Sequence, residues 1–370
     1  MAAQRQAEFQ PAFQITPGIA RGLMRIEAVK TSIEYLPITP RVLADLRESA
    51  RLFSTHYSTT VEGNRLTQEQ VAQVIVGDQT FPGRERDRAE VRGYYAALDE
   101  VERLTKARTQ LTETAVRSLH ALVMAGGKAR VKPSRYRDGQ NVIRDSRDKA
   151  IVYLRPEAKD VPSLMQQLGV WISASDQLPV PLTAAVAHYQ YATVHPYYDG
   201  NGCTARLLTT LILHLGGYGL KGLCALDEHY ARDRTGYYQA LTLGPSHNCS
   251  MGPVEADITP WVAYFILGMA TSFERVLQQA KREADAGRTD QSPLLRNLET
   301  RQRKVLVLFE KSREVTAAEI AALFGLRPRS SAALCQRWVS AGFLLIANPA
   351  KKSRRYQLAD QYEQWISRAT

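Results

Sequence analysis

Apolar residues recur at helical spacing along most of the first 282 positions, which predicts a mainly α chain. Residues 1–35 alternate short apolar groups with prolines and predict an arm with a short helix. A helical pattern begins after Thr39, is stopped by Gly63 and Asn64, and resumes after Thr67, a good helix cap. Further predicted helices cover two segments within 88–124, then 162–173, 181–194, 202–215, 237–243 and 259–281.

Two short runs inside this helical region have strand character. Asn141–Ile143 and Ala150–Leu154 lie on either side of a polar turn. Short apolar runs separated by such a turn predict a β-hairpin.

The pattern changes after residue 282. Residues 283–298 are polar, contain Gly and Pro and lack apolar periodicity, as expected of a linker. Three amphipathic segments follow, then two strand-like runs around the basic turn NPAKKSRR, which outlines a winged helix-turn-helix. The predicted domains are an N-terminal arm and helical region at 1–85, a helical core at 86–282, the linker at 283–298 and a winged-helix (α+β) domain at 299–370.

Positive charge is concentrated in the last of these domains. Residues 296–370 hold fourteen lysines and arginines against six aspartates and glutamates, a net charge of +8, while the rest of the chain carries +3. A basic surface for a partner is therefore expected in this segment.

Composition argues against a membrane protein and against a disulfide or zinc framework. The uncharged stretches 177–198 and 258–273 are interrupted by Pro and His or are shorter than the roughly 18 apolar residues that a span needs. The first ten residues lack the apolar core of a signal peptide, so we expect a cytoplasmic protein. The four cysteines form no CxxC pair, so we expect reduced thiols.

The stretch TVHPYYDGNGCTAR, at 193–206, is the richest in candidate chemistry. Pro196 ends one helix, and a glycine-rich turn begins the next, whose unpaired N–H groups suit an anion. Asp199 is an oxygen ligand suited to Mg²⁺, His195 accepts a proton near neutral pH, and Arg206 reaches a phosphate with a bidentate fork. Together they indicate transfer of a phosphate-containing group from a nucleotide to a hydroxyl.

The motif HPYYDGNGCTAR resembles the HPFx(D/E)GNGRxxR signature of the Fic family, whose best known members are protein adenylyltransferases. Tyr197 stands in place of phenylalanine, and Cys203 in place of the first arginine. The resemblance covers roughly residues 10–280 and implies a Fic-type helical core with one β-hairpin flap. The matching residues are His195, Pro196, Asp199, Gly200, Asn201, Gly202 and Arg206.

The resemblance implies a role for each part of the motif. His195 would deprotonate a target hydroxyl, which attacks the α-phosphate of ATP. Asp199 would hold Mg²⁺, the backbone of Gly200–Gly202 would cradle the phosphates, and Arg206 would meet the γ-phosphate. The remaining candidates are the nucleotide-contacting pair Tyr237 and Tyr238 and the flap residues Asn141, Val142 and Ile143, which would hold the target protein by strand pairing.

The run STTVEGN, at 58–64, looks like the family's inhibitory motif, (S/T)xxxE(G/N). The resemblance implies that Glu62 forms a salt bridge with Arg206, which removes the arginine from the γ-phosphate and leaves ATP misplaced. Ser58, one turn earlier, is expected to hydrogen-bond Glu62.

Cys203 is the main departure from the signature. A cysteine is too short, and uncharged at neutral pH, to bind a phosphate. Loss of one preorganised donor of this kind costs about 100- to 1000-fold in rate, so we expect a slowed enzyme. A buried, unreactive thiol is expected here rather than a redox-sensitive one.

The C-terminal domain offers candidate contacts to DNA. The helix near 330–340 would be the recognition element, and the basic turn would follow the phosphate backbone. Winged helices also serve as protein-interaction surfaces, so both partners stay open. The candidate residues are Arg327, Arg329, Arg337, Lys351, Lys352, Arg354 and Arg355.

Three functions stay open at this point. The leading one is a self-inhibited adenylyltransferase that modifies a Ser, Thr or Tyr hydroxyl of a target protein or of itself. The second is a DNA-binding regulator whose Fic core is a degenerate nucleotide sensor. The third is a Fic transferase with another nucleotide or phospho-group donor. A homodimer is among the oligomeric states that the sequence leaves open.

Overall fold

The computed structural model describes residues 9–77, 79–128, 131–140, 142–144, 151–242, 247–248, 257–286, 298–348, 350 and 354–363. Within these residues the chain is mainly α-helical, as predicted. Its internal contacts divide it into two compact units. The larger unit comprises Met1–Thr31 and Ser49–Val276, and the smaller unit comprises Ser32–Glu48 and Leu277–Thr370.

The described helices before residue 287 follow the predicted order, with differences in length. They are α1 (Pro17–Tyr35), α2 (Pro40–Val61), α3 (Gln68–Val76), α4 (Glu85–Lys106), α5 (Glu113–Met124), α6 (Val161–Ser173), α7 (Val180–Val194), α8 (Asn201–Leu215), α9 (Asp227–Arg232), α10 (Arg234–Leu241) and α11 (Thr259–Ala286), with 3₁₀ turns at Ala158–Asp160 and Leu220–Gly222.

Three of these helices differ from expectation. Helix α1 has 19 residues and is not short, because Ile19, Ile26 and Ile33 recur at helical spacing and are buried. Helix α11 continues to Ala286, into the predicted linker, because Leu277, Ala280 and Ala284 are buried at helical spacing. Helix α9 was not predicted, since its six residues are too few to show a periodicity.

Helices α7 and α8 form the centre of the larger unit. Helix α7 is buried on all sides, as expected of a helix that is apolar all round. Trp261, at the start of α11, packs on it and donates its Nε1–H to the Ala185 carbonyl at 2.7 Å. Helix α8 packs against α4 and α5 through an apolar cluster that includes Tyr94, Leu119 and Leu207. The segment between α7 and α8 therefore lies on a rigid base.

The turn after α2 forms as the sequence predicts. Gly63 has φ 98°, a left-handed conformation that glycine adopts without strain. Thr67 caps α3 in a reciprocal arrangement with Gln70. Asn64 pins the turn, because its Nδ2 donates to the Asp87 carbonyl at 2.8 Å.

The predicted hairpin is present. Strands β1 (Val142–Arg144) and β2 (Ile151–Leu154) pair antiparallel, with Val142 opposite Leu154. A third strand, β3 (His247–Asn248), pairs parallel with β2 and was not predicted. Of the predicted flap residues, Val142 and Ile143 lie in β1, and Asn141 lies outside the described residues.

In the described residues from 298 onward, the smaller unit contains three longer helices, a short fourth helix and a three-stranded sheet. The elements are α12 (Thr300–Lys311), β4 (Val315–Thr316), α13 (Ala317–Phe324), α14 (Pro328–Ser340), β5 (Leu344–Asn348), β6 (Arg355–Leu358) and the short α15 (Asp360–Glu363). The sheet has the order β4-β6-β5 with antiparallel pairing, so β4 adds a strand to the predicted hairpin. The core of this unit includes Phe309, Ile320, Trp338 and Tyr356.

No helix in the described part of the chain is both long enough and apolar enough to cross a bilayer.

Candidate active site

The loop between α7 and α8 is held in an unusual backbone conformation. His195 ends α7 with φ 50° and ψ 62°, a left-handed conformation that is uncommon outside glycine. Pro196 prevents the helix from continuing, and Gly200 begins α8 with φ 73°. Such strain is often found at functional positions. Its result here is that the His195 side chain and the first turn of α8 lie at the two ends of a six-residue loop.

The His195 ring is arranged as a proton acceptor. Its Nδ1 lies 3.2 Å from the Ala192 carbonyl oxygen. Because a carbonyl only accepts, Nδ1 carries the hydrogen and Nε2 keeps its lone pair. Burial, with the positive charges of Arg155 and Arg137, lowers the pKa of the imidazole to about 3, so the ring is neutral at pH 7.

Arg137 fixes the backbone of this loop from the side of the hairpin. Its Nε donates to the His195 carbonyl at 3.0 Å, and its own N–H donates to the Pro196 carbonyl at 2.9 Å. Its two Nη groups donate to the carbonyls of Gly139 and Pro156, one before β1 and one after β2. One buried guanidinium thus joins the base of the hairpin to the predicted catalytic histidine.

The Asn201 side chain stabilises the turn through two hydrogen bonds and does not face a ligand site. Its Oδ1 accepts from the Tyr197 N–H at 3.0 Å, and its Nδ2 donates to the Tyr197 carbonyl at 2.8 Å. The side chain is buried. The backbone N–H groups at the start of α8 have no partner within the helix, as at any helix N-terminus, and this is the anion site that the sequence predicts.

Asp199 is exposed at the edge of this turn. Its Oδ1 accepts from the Gly200 N–H at 2.7 Å, and its Oδ2 lies 3.4 Å from the Arg86 guanidinium. Among the described residues no group of three or more His, Cys, Asp or Glu side chains is arranged to hold a metal ion. A single exposed carboxylate fits Mg²⁺ that takes its other ligands from phosphate and water.

His120 is a site residue that the sequence reasoning missed. Its Nε2 lies 2.9 Å from the Asp199 carbonyl oxygen, its Nδ1 lies 2.7 Å from Ser134 Oγ, and its ring stacks on Tyr197 with centroids 3.5 Å apart. Burial lowers the pKa of the ring, which favours the neutral form. No local signal identifies it, since it lies within α5 and outside any motif.

Arg206 is 1% exposed and is surrounded by acceptors. Its Nη2 donates to Glu62 Oε1 at 2.9 Å and to the Ser58 carbonyl at 2.9 Å. Its Nε donates to Ser58 Oγ at 2.7 Å and lies 3.5 Å from Asp227 Oδ1. The expected contact between Glu62 and Arg206 is therefore present, whereas the Ser58 side chain bonds Arg206 instead of the expected Glu62.

Asp227, on α9, is a second residue that the sequence reasoning missed. Its carboxylate is 4% exposed and accepts hydrogen bonds from Ser54 and from the Tyr94 hydroxyl. It gives Arg206 a counter-charge in addition to Glu62. One Arg206 donor, Nη1, is buried without a hydrogen-bond partner in the described part of the chain. A phosphate oxygen is a suitable acceptor for such a donor.

Glu62 lies against the first turn of α8. A Cβ atom at Gly202 would lie 2.1 Å from Glu62 Oε1, which is less than any real contact. Only glycine at 202 permits this approach. The Glu62 carboxylate is 35% exposed and faces the helix N-terminus that the sequence predicts as the anion site.

Cys203 lies between the core and the site, and its Sγ accepts a hydrogen bond from Arg206 Nη2 at 3.6 Å. It belongs to the apolar cluster of α4, α5 and α8, and burial raises the pKa of its thiol to about 12. The thiol is therefore neutral at pH 7 and adds no positive charge beside Arg206.

Tyr237 and Tyr238 differ in exposure. Tyr237 is buried, and its hydroxyl lies 2.9 Å from His188 Nε2. Tyr238 is 42% exposed, and its ring centroid lies 5.2 Å from that of Tyr237. Of the pair, Tyr238 is the one that presents a ring to a ligand.

The candidate DNA-contacting residues belong to the smaller unit. Arg327, at the start of α14, and Arg329 and Arg337 within it are exposed, while the opposite face of the helix, which includes Trp338, is buried. Arg355, in β6, lies 3.8 Å from Glu314. Arg354 precedes β6, and Lys351 and Lys352 lie outside the described residues.

The larger unit is thus a helical domain in which a neutral histidine, a carboxylate and a buried arginine surround a helix N-terminus. Residues 110–213 match the sequence profile of the Fic/DOC family. This segment includes the loop from His195 to Arg206.

The similarity to two curated relatives extends beyond residues 110–213. Protein adenylyltransferase fic-1 of Caenorhabditis elegans is 26% identical over 277 residues, which cover 73% of this chain and 50% of the relative. Protein adenylyltransferase Fic of Drosophila willistoni is 24% identical over 247 residues, covering 66% and 45%. The chain spans about half the length of these relatives.

Solved structures show the same fold. A Fic family protein from Desulfovibrio desulfuricans G20 superposes with a TM-score of 0.60 at 23% identity, covering 95% of this chain and 99% of that one. Fic-1 residues 134–508 from C. elegans superpose with a TM-score of 0.56 at 23% identity, covering 71% and 73%. The fold is therefore that of Fic proteins.

Proposed function

We propose that the chain is a protein adenylyltransferase that transfers AMP from ATP to a hydroxyl side chain of a protein. The observation that carries the proposal is the neutral His195, with its Nε2 lone pair available, at the end of α7, joined by a six-residue loop to the helix that holds the buried Arg206. The names of the curated relatives point to the same reaction.

The reaction follows from these groups. His195 Nε2 takes the proton of the target hydroxyl, and the hydroxyl oxygen forms a bond to the α-phosphorus of ATP. The bond between the α-phosphorus and the bridging oxygen breaks, and pyrophosphate leaves with the electron pair. The N–H groups at the start of α8 stabilise the charge that develops on the phosphate oxygens.

The remaining residues bind and orient the reactants. Asp199 would hold Mg²⁺, which neutralises phosphate charge. The unpartnered Nη1 of Arg206 fits a phosphate oxygen, and Tyr238 offers a ring for the base. Strand β1, with Val142 and Ile143, would pair with the segment that carries the target hydroxyl.

We further propose that Glu62 inhibits the enzyme. A carboxylate at the first turn of α8 repels the phosphates electrostatically and occupies the Arg206 Nη2 donor. Ser58 contributes by holding the Arg206 guanidinium in this position through two hydrogen bonds.

The direct test is incubation of the Glu62→Gly variant with ATP labelled at the α-phosphate and with Mg²⁺. We expect label on the protein itself or on a lysate protein, at levels well above those given by the native chain, and an added mass equal to that of AMP. The Glu62→Gly/His195→Ala double variant is the control and should give no label. Absence of label with the active-site histidine intact would contradict the proposal, and a different added mass would indicate another donor.

For the smaller unit we propose a winged helix-turn-helix that binds DNA. The observation behind this proposal is the exposed face of α14, which presents Arg329 and Arg337 over an apolar core. In this view residues 86–282 form the catalytic core, 1–85 supply the inhibitory region, and 299–370 supply the DNA contacts through α14 and through the turn at Lys351, Lys352, Arg354 and Arg355.

A further inference from the structure

A cavity of about 280 Å³ lies between the turn after α2 and the start of α4. Three arginines line it together with three acidic residues, Glu62, Asp87 and Glu90. The arginines are Arg65, Arg84 and Arg86. Because Glu62 also contacts Arg206 and the first turn of α8, the cavity adjoins the proposed phosphate site. The carboxylates balance the arginine charge, and Arg84 pairs with Asp87, so an anionic ligand binds here where a guanidinium exchanges a carboxylate partner for it.

Arg86 reaches furthest toward the motif. Its Nη2 lies 3.4 Å from Asp199 Oδ2, and its Nε donates to Glu90 Oε1 at 2.9 Å. The guanidinium therefore spans the distance between the cavity and the carboxylate that would hold Mg²⁺. Neither ion pair binds it firmly, because the Arg86 side chain is 78% exposed and exposed pairs contribute at most about 1 kcal/mol.

The start of α8 supplies little positive charge of its own. Cys203 is neutral and only accepts a hydrogen bond from Arg206, and Arg206 is already shared by Glu62, Ser58 and Asp227. A triphosphate whose α-phosphate lies at the helix N-terminus carries most of its charge on the two outer phosphates. Those phosphates need a cation that lies beyond Arg206, and Arg86 is placed to provide one.

We propose that Arg86 binds the outer phosphates of the nucleotide and so supplies the charge that position 203 lacks. The inference rests on the proposed use of ATP. The guanidinium exchanges its exposed contact with Asp199 for a bidentate contact with phosphate, which leaves Asp199 to the metal. Removal of Glu62 takes one negative charge out of the cavity. The same change should therefore raise the nucleotide affinity and relieve the inhibition.

The test is calorimetric titration with ATP and with AMP in the presence of Mg²⁺. The parent protein is the Glu62→Gly/His195→Ala variant, which binds nucleotide without turnover. Adding Arg86→Ala should weaken ATP binding about 10- to 100-fold, the range for a lost hydrogen bond to a charged group. AMP lacks the outer phosphates, so its affinity should change less than twofold. Adding Arg86→Lys should retain part of the ATP affinity.

The matched control is Arg103→Ala in the same parent. Arg103 is an exposed arginine of the same helix, pairs with Glu100 as Arg86 pairs with Glu90, and lies far along α4 from the cavity. It should leave both affinities unchanged. Equal ATP affinity with and without Arg86, or equal losses of affinity for ATP and AMP, would overturn the role of Arg86 and leave the proposed function standing. A parent that binds neither nucleotide would overturn the proposed function as well.

Discussion

Two carboxylates of very different exposure hold Arg206. Glu62 is 35% exposed and Asp227 is 4% exposed. Removing a partner from a buried ion pair costs about 3 to 5 kcal/mol, and the cost falls toward about 1 kcal/mol as the removed group becomes exposed to water. The two contacts therefore have separable roles: Asp227 keeps the arginine charge inside the fold, and Glu62 is the partner that can leave.

This difference predicts unequal effects of two isosteric substitutions. Asp227→Asn should lower the free energy of unfolding by about 3 kcal/mol, because it leaves the buried Arg206 without its enclosed counter-charge. Glu62→Gln should lower it by about 1 kcal/mol or less. Urea unfolding of the two variants, followed by circular dichroism, measures both values. A larger loss for Glu62→Gln than for Asp227→Asn would contradict the assignment.

Between elements, the decisive contact is that of the α2 end with the first turn of α8. It requires a residue without a side chain at 202, because a Cβ there would overlap Glu62 Oε1 at 2.1 Å. The motif glycine thus has a second use beyond leaving room for phosphate. It lets an acidic side chain from a distant part of the chain reach the same helix N-terminus.

The Gly202→Ala substitution, made with and without Glu62, tests this contact. With Glu62 present we expect a loss of about 1 kcal/mol of stability, because the Glu62 carboxylate must move away from Gly202 and its contact with Arg206 weakens. In the Glu62→Gly background the loss should vanish, since alanine is otherwise as good as or better than glycine in a helix. Unfolding free energies of the four proteins give the coupling energy. The same cost in both backgrounds would show that Glu62 does not lie over Gly202.

Sequence reasoning succeeded for elements whose signals are local. The apolar α7, the break at Gly63 and the cap at Thr67 are each encoded within a few neighbouring residues. It failed where the partner is distant along the chain. The two-residue strands β3 and β4 exist only through pairing with β2 and β6, which no periodicity reveals.

The same distinction holds within the site. His195, Asp199 and Arg206 lie in one motif, and their proximity follows from a single helix boundary. His120 and Asp227 act through contacts between elements, and neither belongs to a motif that the sequence reveals. Only packing shows that their side chains face the motif.

At the scale of the whole molecule, charge and chemistry are separated along the chain. Residues 296–370 carry +8 of the total +11, whereas residues 1–295, which include the motif at 193–206, carry +3. Duplex DNA binds through neutralisation of its phosphates, so the affinity of such a domain depends on salt. DNA binding, if it resides in the smaller unit, is therefore distinguishable by its salt dependence from nucleotide binding in the larger one.

The last prediction uses the full chain and a fluorescent duplex. Arg329→Glu/Arg337→Glu should weaken binding at least tenfold and reduce the slope of log affinity against log salt by about 2, since each lost phosphate contact removes about 0.9. Arg103→Glu/Lys106→Glu makes the same change in net charge on exposed positions of α4 and should have little effect. Equal losses in the two variants would mean that total charge, and not the face of α14, determines binding. No binding by the native chain would remove DNA as the partner and leave a protein surface as the role of this unit.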